Sequence, residues 1–493
     1  MSKSAYIRIG GGIDLVTPPE QLSPGAAIYA VNYECPVTGG YRRIDGYTQL
    51  GPVVPGEGPL LGVVTFNDRP LAVRKDAGAD TATLYRLNAA GDTWEVVGTA
   101  GALHNGRHEF VEGNVYATEG GRALYGVGGG KPFELKASDD TFTELTAAMA
   151  GAKYIALHAN ALALGYSPGS LQLSTIGDPA DWDAATGSAT EIGTGQTLTG
   201  ILPGTGGVLH IMCRDSIKTL YGTSSADFQL KTTVPNSGAR PYSAQSLMQP
   251  YFIAERGIAS LQATQQYGDF RPMQPGAKVE PLFSEQGYAT RVVATAISKK
   301  KAQYRIWFDD GTGVYMSPAG ITTVRFPDQV AVAHTGELST GEEQLLIGDD
   351  AGFVYRLGNG ATSFNGAGIE AFLTLAYSDL DAPNVRKRYR RVFWDLRSGT
   401  NANISIKPDL DYGGTESASA RREFLEFLVG GGLWDVAQWG EFSWSVPSLG
   451  QEPMDVTGTG VSINFAIYST GSDPSHELLG YDLHYDVRRR RRG

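Results

Sequence analysis

Short runs of β-branched and aromatic residues, each broken by Gly, Asn or Asp, make up most of the chain. From Leu60 onward the runs fall into groups of about four, and each group spans roughly 40 residues, which is the period of a propeller blade. Almost no stretch shows the 3.6-residue periodicity of an amphipathic helix. The pattern therefore predicts an all-β fold whose main part is a β-propeller of six or seven blades.

The predicted strands can be placed group by group. Four regular groups cover 62–66, 71–74, 83–87 and 94–97; 108–111, 114–118, 123–127 and 133–136; 154–158, 161–166, 171–174 and 190–192; and 199–202, 208–212, 217–221 and 229–233. The fifth group has strands at 251–254 and 257–261, followed by an insertion or distorted outer pair at 262–286. The last two cover 292–296, 304–308, 314–316 and 321–326, and then 330–335, 344–348 and 353–357.

The two ends of the chain differ from the repeats. Residues 1–59 contain a proline-rich stretch and a segment, 25–32, that favours a short helix opened by Ser23, so we expect an N-terminal arm. Beyond residue 366 the runs lengthen, which favours a separate antiparallel sandwich. Its predicted strands are 370–377, 389–396, 403–407, 461–468 and 481–487. The predicted domains are thus an arm (1–59), a propeller (60–365) and a C-terminal β-domain with a basic tail (366–493).

Three of the seven tryptophans, Trp434, Trp439 and Trp444, lie close together in the C-terminal domain. Aromatic density of this kind more often fills a core or an interface than binds a ligand. We therefore predict a packing role for the segment 433–444.

Composition narrows the class of protein. Glycine accounts for 64 of the 493 residues, well above ordinary usage of roughly 7 per cent, which indicates many turns. Cys35 and Cys213 have no metal or redox spacing, so folding in a reducing cytoplasm is expected. No signal-peptide pattern or long apolar run occurs, so we expect neither export by that route nor membrane insertion.

The net charge of −11 conceals an uneven distribution. Two clusters, 386–391 and 488–492, hold ten of the 41 basic residues, and without them 31 basic residues face 52 acidic ones, a difference of −21. An acidic body repels DNA phosphates at short range, which disfavours a sequence-reading DNA-binding protein and permits a surface that DNA slides past.

The first basic cluster is the candidate site. Arg386, Lys387, Arg388, Arg390 and Arg391 enter a predicted strand, whose alternation would place Arg386, Arg388 and Arg390 on one face and Lys387 and Arg391 on the other. We predict that this cluster docks on an acidic neighbouring subunit or on DNA phosphates. A solvated strand end is the alternative, and the run 488–492 is open to the same two interpretations.

Motifs of catalysis and ligand binding are weak. Residues 165–169 match a nucleophile elbow, but Pro168 lacks the N–H that the oxyanion hole requires, so a turn is predicted. The run 126–131 has the wrong glycine spacing for a phosphate loop. His104 and His108 are four residues apart, yet lie in a predicted turn and strand where a helical zinc pair cannot form. Paired Asp residues at hairpin tips are expected to cap turns. We predict no catalytic residue, no cofactor and no metal site.

The segment 13–47 contains the most specific signal. It includes an Asn-Tyr-Glu stretch, 32–34, before a Gly-Tyr-Arg-Arg-Ile-Asp-Gly-Tyr turn, 40–47. This opening resembles that of short-tailed bacteriophage tail nozzle proteins, the tail tubular protein B and packaged-DNA stabilisation type. Shorter segments similar to the same group are STIGDPADW (174–182), DSIKTLYG (215–222), RGIASL (256–261) and YDLHYDV (481–487).

The resemblance implies a structural, non-enzymatic virion protein. Proteins of this group carry propellers and form a six-membered ring beneath the adaptor, or head-to-tail connector, where they extend or close the channel that double-stranded DNA leaves by. The implied partners are further copies of the chain, the adaptor, tail fibre or needle proteins and DNA in transit. The implied location is the virion tail, after folding in the host cytoplasm.

Two other functions fit the same sequence. One is a peripheral receptor-binding tail component, which would present aromatic and polar loops to a cell surface. The other is a glycan-acting propeller enzyme, which would need two carboxylates within about 10 Å at the propeller mouth.

Overall fold

The structure, a computed structural model, describes residues 2–263, 270–398, 402–413, 423–427 and 450–490. The predicted segment 433–444 lies outside these residues. Contacts divide the chain into two compact units. The sandwich unit comprises Met1–Thr48, Thr312–Pro327 and Leu357–Gly493, and the propeller unit comprises Gln49–Gly311 and Asp328–Arg356.

Strands dominate the described residues, as predicted. Those that begin before residue 200 are β1 (Ser2–Arg8), β2 (Ala27–Val31), β3 (Tyr33–Glu34), β4 (Tyr41–Arg43), β5 (Tyr47–Gln49), β6 (Glu57–Phe66), β7 (Arg69–Lys75), β8 (Thr81–Leu87), β9 (Trp94–Val96), β10 (Leu103–His104), β11 (Glu109–Gly113), β12 (Ala123–Val127), β13 (Phe133–Lys136), β14 (Phe142–Glu144), β15 (Ala152–His158), β16 (Ala161–Tyr166), β17 (Ser170–Leu173), β18 (Ala189–Gly193) and β19 (Leu198–Gly204).

The remaining strands continue the series. They are β20 (Val208–Cys213), β21 (Ile217–Tyr221), β22 (Gln229–Val234), β23 (Gln245–Ser246), β24 (Pro250–Ala254), β25 (Gly257–Ala263), β26 (Phe270–Met273), β27 (Val292–Ser298), β28 (Gln303–Phe308), β29 (Thr312–Ser317), β30 (Gly320–Arg325), β31 (Val330–Glu337), β32 (Glu343–Asp349), β33 (Val354–Leu357), β34 (Ala371–Leu375), β35 (Val385–Arg397), β36 (Ala402–Leu410), β37 (Glu423–Phe427), β38 (Gly450–Gly460), β39 (Ile463–Ser469) and β40 (Glu477–Arg490).

Helical structure in the described residues is short. One α-helix, α1 (Glu280–Ser284), lies in the predicted insertion, and single 3₁₀ turns occur at Pro19–Gln21, Ala184–Thr186, Ala277–Val279, Tyr288–Thr290 and Asp411–Gly413.

Seven antiparallel blades form the described part of the propeller unit. The first five are β6–β10, β11–β14, β15–β18, β19–β22 and β23–β26; in this unit the sixth has β27 and β28, and the seventh has β31, β32 and β33. From β11 to β31, each inner strand contacts the inner strand of the next blade, and β31 contacts β6. His108 N, just before β11, donates to Leu61 O of β6 at 2.7 Å, so the ring closes. Buried apolar side chains fill the spaces between successive blades, as in the cluster of Leu71, Val73, Leu124 and Leu135 between the first and second.

Residues that precede the first blade help to close the ring. Leu50 N donates to Val354 O at 2.8 Å. The Arg74 guanidinium of β7 donates to the carbonyls of Val54, Gly58 and Ala351, at 2.5, 2.9 and 2.9 Å. These bonds join the first blade to the last, because both chain ends of the ring meet here.

Two sheets face each other in the sandwich unit. One has the order β3-β4-β40-β35-β38, with β1 also paired to β40; the other contains β29, β30, β2, β34, β39, β36 and β37. Trp394 packs between them, 5.1 Å from Phe465 and 4.9 Å from Tyr481 between ring centroids. The predicted C-terminal sandwich is present.

The predicted N-terminal arm is wrong. Strand β1 pairs with β40 and β2 pairs with β34, so residues up to Thr48 are built into the sandwich unit. The predicted helix at 25–32 is wrong too, because the backbone of β2 pairs with a strand more than 300 residues away and this pairing overrides local propensity. The propeller boundaries also differ, since Thr312–Pro327 belongs to the sandwich unit.

One predicted propeller strand, 114–118, is a turn. Asn114 Nδ2 donates to Thr118 O at 2.7 Å within that turn, and Phe142–Glu144 supplies the outer strand of the second blade instead. A short polar side chain that bonds its own turn competes with strand pairing, which explains the difference.

Candidate docking surface

Strand β35 contains the arginine-rich segment that the sequence marks for docking. It pairs with β38 on one side and β40 on the other, and both pairings shift register between Tyr389 and Arg391. This bulge interrupts the alternation of side chains. Lys387 and Tyr389 are buried, whereas Arg390 and Arg391 are both exposed. The prediction that placed Arg391 on the same face as Lys387 is therefore wrong.

Lys387 does not belong to any docking surface. Its side chain is 1% exposed, and Nζ donates to the carbonyls of Ala382, Val385 and Val461 at 2.8, 3.1 and 2.8 Å. Burial lowers the pKa of the Lys387 ammonium group. These buried hydrogen bonds stabilise the start of β35. The predicted docking role of Lys387 is therefore wrong.

The other basic residues of the cluster are exposed. Arg390 Nε and Nη2 lie 2.9 and 2.8 Å from Asp486 Oδ2, and Arg391 Nε lies 2.8 Å from Asp455 Oδ1. The Arg390 hydrogen bond lowers the pKa of Asp486. Exposed pairs of this kind contribute little stability, about 0–1 kcal/mol.

These arginines and one on the neighbouring strand form a surface that we call the basic band. It consists of Arg386, Arg388, Arg390, Arg391 and Arg488, all exposed. Strand β40 ends at Arg490, whose backbone lies opposite Val385. The backbone of the basic tail is thus paired in this sheet as far as Arg490, while residues 491–493 lie outside the described residues.

The segment that carries the resemblance is used inside the sandwich unit. Tyr33 Oη lies 3.0 Å from His476 Nε2, and burial lowers the pKa of His476 to about 3. Asn32 Nδ2 donates to Glu370 O at 2.7 Å, and its Oδ1 accepts from Arg325 N at 2.8 Å. Each of these contacts joins distant parts of the chain.

The second half of that segment does the same. Arg43 is fully buried and donates to the carbonyls of Gly471 and Asp473. Burial lowers the pKa of its guanidinium group. A Cβ added to Gly46 would lie 1.9 Å from Ser363 O, which explains the glycine. The motif therefore stabilises the sandwich unit through buried contacts.

The inner strands of the propeller unit enclose a cavity of about 280 Å³. Arg107, just before β11, donates to the carbonyls of Val293 in β27 and Ala331 in β31, and its guanidinium carbon lies 4.2 Å from the Tyr242 ring centroid. One side chain thus joins the second blade to the sixth and seventh.

Glu109 lines the same cavity. Burial raises the pKa of Glu109 to about 7, against the opposing effect of Arg107. Burial also lowers the pKa values of His108 and His334 to about 4. Glu109 is the one carboxylate among the described residues that line the cavity, so no pair for glycan cleavage is found there.

Sequence reasoning missed Arg107 and Glu109 as charged residues that line this cavity. The available signal was the polar run at 105–109, at the head of an inner strand.

The residues that superficially match catalytic or metal-binding motifs lie in turns or strands. Gly169 N donates to Tyr166 O at 3.0 Å in the tight turn between β16 and β17. As predicted, Asp183 caps a turn, with its carboxylate accepting from Ala185 N at 3.0 Å. His104 lies on β10, and His108 is buried beside the cavity.

The described residues contain neither a cluster of metal ligands nor a membrane-spanning helix. No group of three or more His, Cys, Asp or Glu side chains is arranged to hold a metal ion within the part of the chain that the structure covers. In that same part, every helix is too short or too polar to cross a membrane.

Comparisons with known proteins give distant matches. No protein-family model and no curated protein sequence matches the chain. Among solved structures, the extracellular domain of the hybrid two-component system BT4673 from B. thetaiotaomicron is 9% identical, with TM-score 0.43, over 63% of this chain and 39% of that one. Virginiamycin B lyase from Staphylococcus aureus is 11% identical, with TM-score 0.42, over 61% and 94%. The WD40 propeller of Doa1 is 11% identical, with TM-score 0.39, over 64% and 97%.

Proposed function

We propose that this chain is a structural subunit of a short-tailed bacteriophage tail, of the nozzle type. In this proposal, six copies form a ring below the adaptor, contact tail fibre or needle proteins, and surround the path by which double-stranded DNA leaves the particle. The chain acts without a cofactor and without catalysis.

The observation that carries the proposal is the resemblance at 13–47 combined with the use of those residues. Contacts that stabilise the sandwich unit involve Tyr33, Arg43 and Gly46. A resemblance in fold-determining contacts supports a shared architecture, whereas a resemblance confined to a few surface residues would not.

Charge supports the passage of DNA. The propeller unit contains 22 Lys and Arg against 31 Asp and Glu, a difference of −9. A surface with an excess of acidic side chains repels DNA phosphates, so DNA can pass without being held.

The decisive experiment is electron microscopy of the intact particle with six-fold averaging of the tail. We expect six copies around an axial channel directly below the adaptor. Absence of the chain from the particle would contradict the proposal.

A peripheral receptor-binding role is the second candidate. It is favoured by Tyr29 and Phe372, which are 53% and 41% exposed beside a groove of about 340 Å³ in the sandwich unit. Exposed aromatic rings can stack on sugars or apolar partners. Copies at the periphery of the tail in the same reconstruction would favour this role over the nozzle.

A further inference from the structure

The central cavity of the propeller unit has an apolar wall built by the inner strands of six blades. Its aliphatic side chains are Val63, Val111, Ile155, Ile201, Ile297 and Val332. The volume of about 280 Å³ holds on the order of ten non-hydrogen atoms, because a water molecule in the liquid occupies about 30 Å³. An apolar cavity with a few polar groups is typical of a site for a small organic ligand.

Arg107 is the cation of this cavity, and protein contacts fix its position. Its Nη1 donates to Val293 O and Ala331 O, and its guanidinium carbon lies 4.2 Å from the Tyr242 ring centroid. The Tyr242 ring lies 5.4 Å from that of Tyr154, and the Tyr242 backbone has φ of 58°, which bulky residues rarely adopt. Arg107 Nη2 has no hydrogen-bond partner among the described residues. A planar guanidinium held in this way loses little entropy when it pairs with a carboxylate.

Glu109 supplies a second polar group, two positions along the chain from Arg107. Its carboxyl group has neither a hydrogen-bond partner nor an ion pair among the described residues, and burial raises its pKa to about 7. A protonated carboxyl group can donate a hydrogen bond, whereas an ionised one can only accept. When Glu109 is protonated, the cavity therefore offers two donor groups and carries one positive charge.

The other titratable groups around Glu109 do not change this charge near neutral pH. Burial lowers the pKa of His108 and of His334 to about 4, so both rings are neutral. Burial raises the pKa of Tyr154 and of Tyr242, so both hydroxyl groups stay protonated. The guanidinium group is thus the one remaining charge of the described lining when the carboxyl group is protonated.

We propose that this cavity binds a small organic acid as its carboxylate, with the carboxylate on Arg107 and protonated Glu109 and the apolar body against the aliphatic wall. The inference goes beyond the proposed function and does not depend on the ring. An inorganic anion would gain nothing from the apolar wall, and an organic cation would be repelled by Arg107.

The first test measures binding of benzoate and hexanoate to the purified full-length chain at pH 6 by isothermal titration calorimetry. We expect benzoate to bind at least tenfold more tightly than benzamide, which has nearly the same shape without the charge, and than benzylamine, which has the opposite charge. Equal affinities for benzoate and benzamide, or no binding of either acid at millimolar concentrations, would overturn the proposal. Displacement of benzoate by an equal concentration of phosphate or chloride would show a site for inorganic anions, and the proposal would be wrong.

The second test uses pH, since benzoate is ionised at both pH 6 and pH 8. The fraction of the chain with protonated Glu109 falls from about 0.9 at pH 6 to about 0.1 at pH 8, so the affinity for benzoate should fall roughly tenfold. Glu109→Gln keeps a donor and is neutral at every pH. Its affinity should be equal at both pH values and exceed that of the wild-type chain at pH 8 by roughly tenfold.

Proton uptake provides an independent measure of the same step. At pH 8 the heat of benzoate binding to the wild-type chain should vary with the ionisation enthalpy of the buffer, because Glu109 takes up a proton on binding. The heat for Glu109→Gln should not vary. A variant whose binding depends on pH as strongly as that of the wild-type chain would refute the role of Glu109.

Arg107→Leu removes the cation and should weaken benzoate binding at least tenfold. If circular dichroism shows that this variant is unfolded, the comparison with Glu109→Gln decides. Matched controls are Arg122→Leu and Glu144→Gln, at exposed positions of the same blade, and neither should change binding. Unchanged affinity in a folded Arg107→Leu would overturn the proposal and would leave the nozzle proposal, which depends on where the chain lies in the particle, unaffected.

Discussion

The propeller unit and the sandwich unit are both antiparallel β structures, but they are closed in different ways. In the propeller unit, most sheets pair strands that are neighbours in sequence, and each blade packs on the next. In the sandwich unit, β1 pairs with β40, and the Tyr33–His476 contact spans 443 residues. Closing over such distances costs more conformational entropy before any contact forms.

Charge differs between the units in amount and in placement. The sandwich unit has 19 basic residues against 21 acidic ones, a difference of −2, compared with −9 for the propeller unit. The sandwich unit concentrates arginines on a sheet face, and the propeller unit distributes aspartates over its turns. We therefore expect buried polar contacts to contribute most to the stability of the sandwich unit. In the propeller unit, we expect turns and the central Arg107 to contribute most.

The largest effect is expected from Arg43→Ala. The substitution leaves the carbonyls of Gly471 and Asp473 buried without their donor and creates a void, which should lower the free energy of unfolding by about 3–4 kcal/mol. Hydrogen exchange should show faster opening of β4 and β40 and little change in the blades. Arg8→Ala is the control, since Arg8 of β1 is exposed, and it should cost about 0.5 kcal/mol or less. Equal losses of unfolding free energy for the two variants would contradict a stabilising role for the buried Arg43 contacts.

Arg107→Leu tests the corresponding contact in the propeller unit. It removes the donors to Val293 O and Ala331 O and should cost about 2–3 kcal/mol. Faster hydrogen exchange is expected in β27 and β31. Arg122→Leu, at an exposed arginine of the same blade, should change stability by about 0.5 kcal/mol or less. Exchange that accelerates only in β11 would show that the link across the ring carries no stability.

Glu109 makes the stability of the propeller unit depend on pH. Its pKa is raised from 4.5 to about 7, so the folded state binds a proton that the unfolded state lacks between these values. The stabilising contribution is complete below pH 4.5 and is lost as pH rises through 7, by about 3 kcal/mol. His108 and His334, with lowered pKa values, act in the opposite direction below pH 6.5.

The Glu109 contribution is isolated by comparison with Glu109→Gln. Chemical denaturation of the wild-type chain and the variant from pH 4.5 to 8 gives the difference in unfolding free energy. We expect the stability of the wild-type chain relative to the variant to decline as pH rises to 7 and then to stay level. A difference that is constant with pH would contradict the raised pKa.

The smallest effect is expected at the basic band. Arg390→Ser removes an exposed ion pair with Asp486 and should change the free energy of unfolding by about 0.5 kcal/mol or less. Thermal denaturation at low and high salt measures this change. A loss above about 2 kcal/mol would mean that the band supports the fold itself and is not a free docking surface.

Much of the propeller could be predicted because its pattern is local. Runs such as 154–158 and 161–166 correspond closely to β15 and β16, since alternating apolar residues and a Gly or Asn turn specify a hairpin within a few residues. The segment 114–118 was mistaken for a strand, because Asn114 bonds within its own turn and periodicity does not reveal that bond.

The candidate site was predicted in part. The sequence located the basic cluster on a strand, but the bulge at 389–391 decided which residues reach solvent. Lys387 occupies a position in that register whose side chain is buried, whereas its arginine neighbours are exposed. Composition cannot show such a difference, because it depends on the pairing of β35 with two other strands.

The sequence by itself determined the all-β class, the repeating blades and the unequal distribution of charge, because these follow from residue type and short-range periodicity. The tertiary structure decided that residues 2–48 complete the sandwich unit, that the buried Arg43 and the partly buried Arg107 join distant strands, and that Lys387 belongs to the interior. Each of these depends on contacts between residues far apart in the chain, where local preference is weaker than the free energy gained by pairing strands and burying side chains.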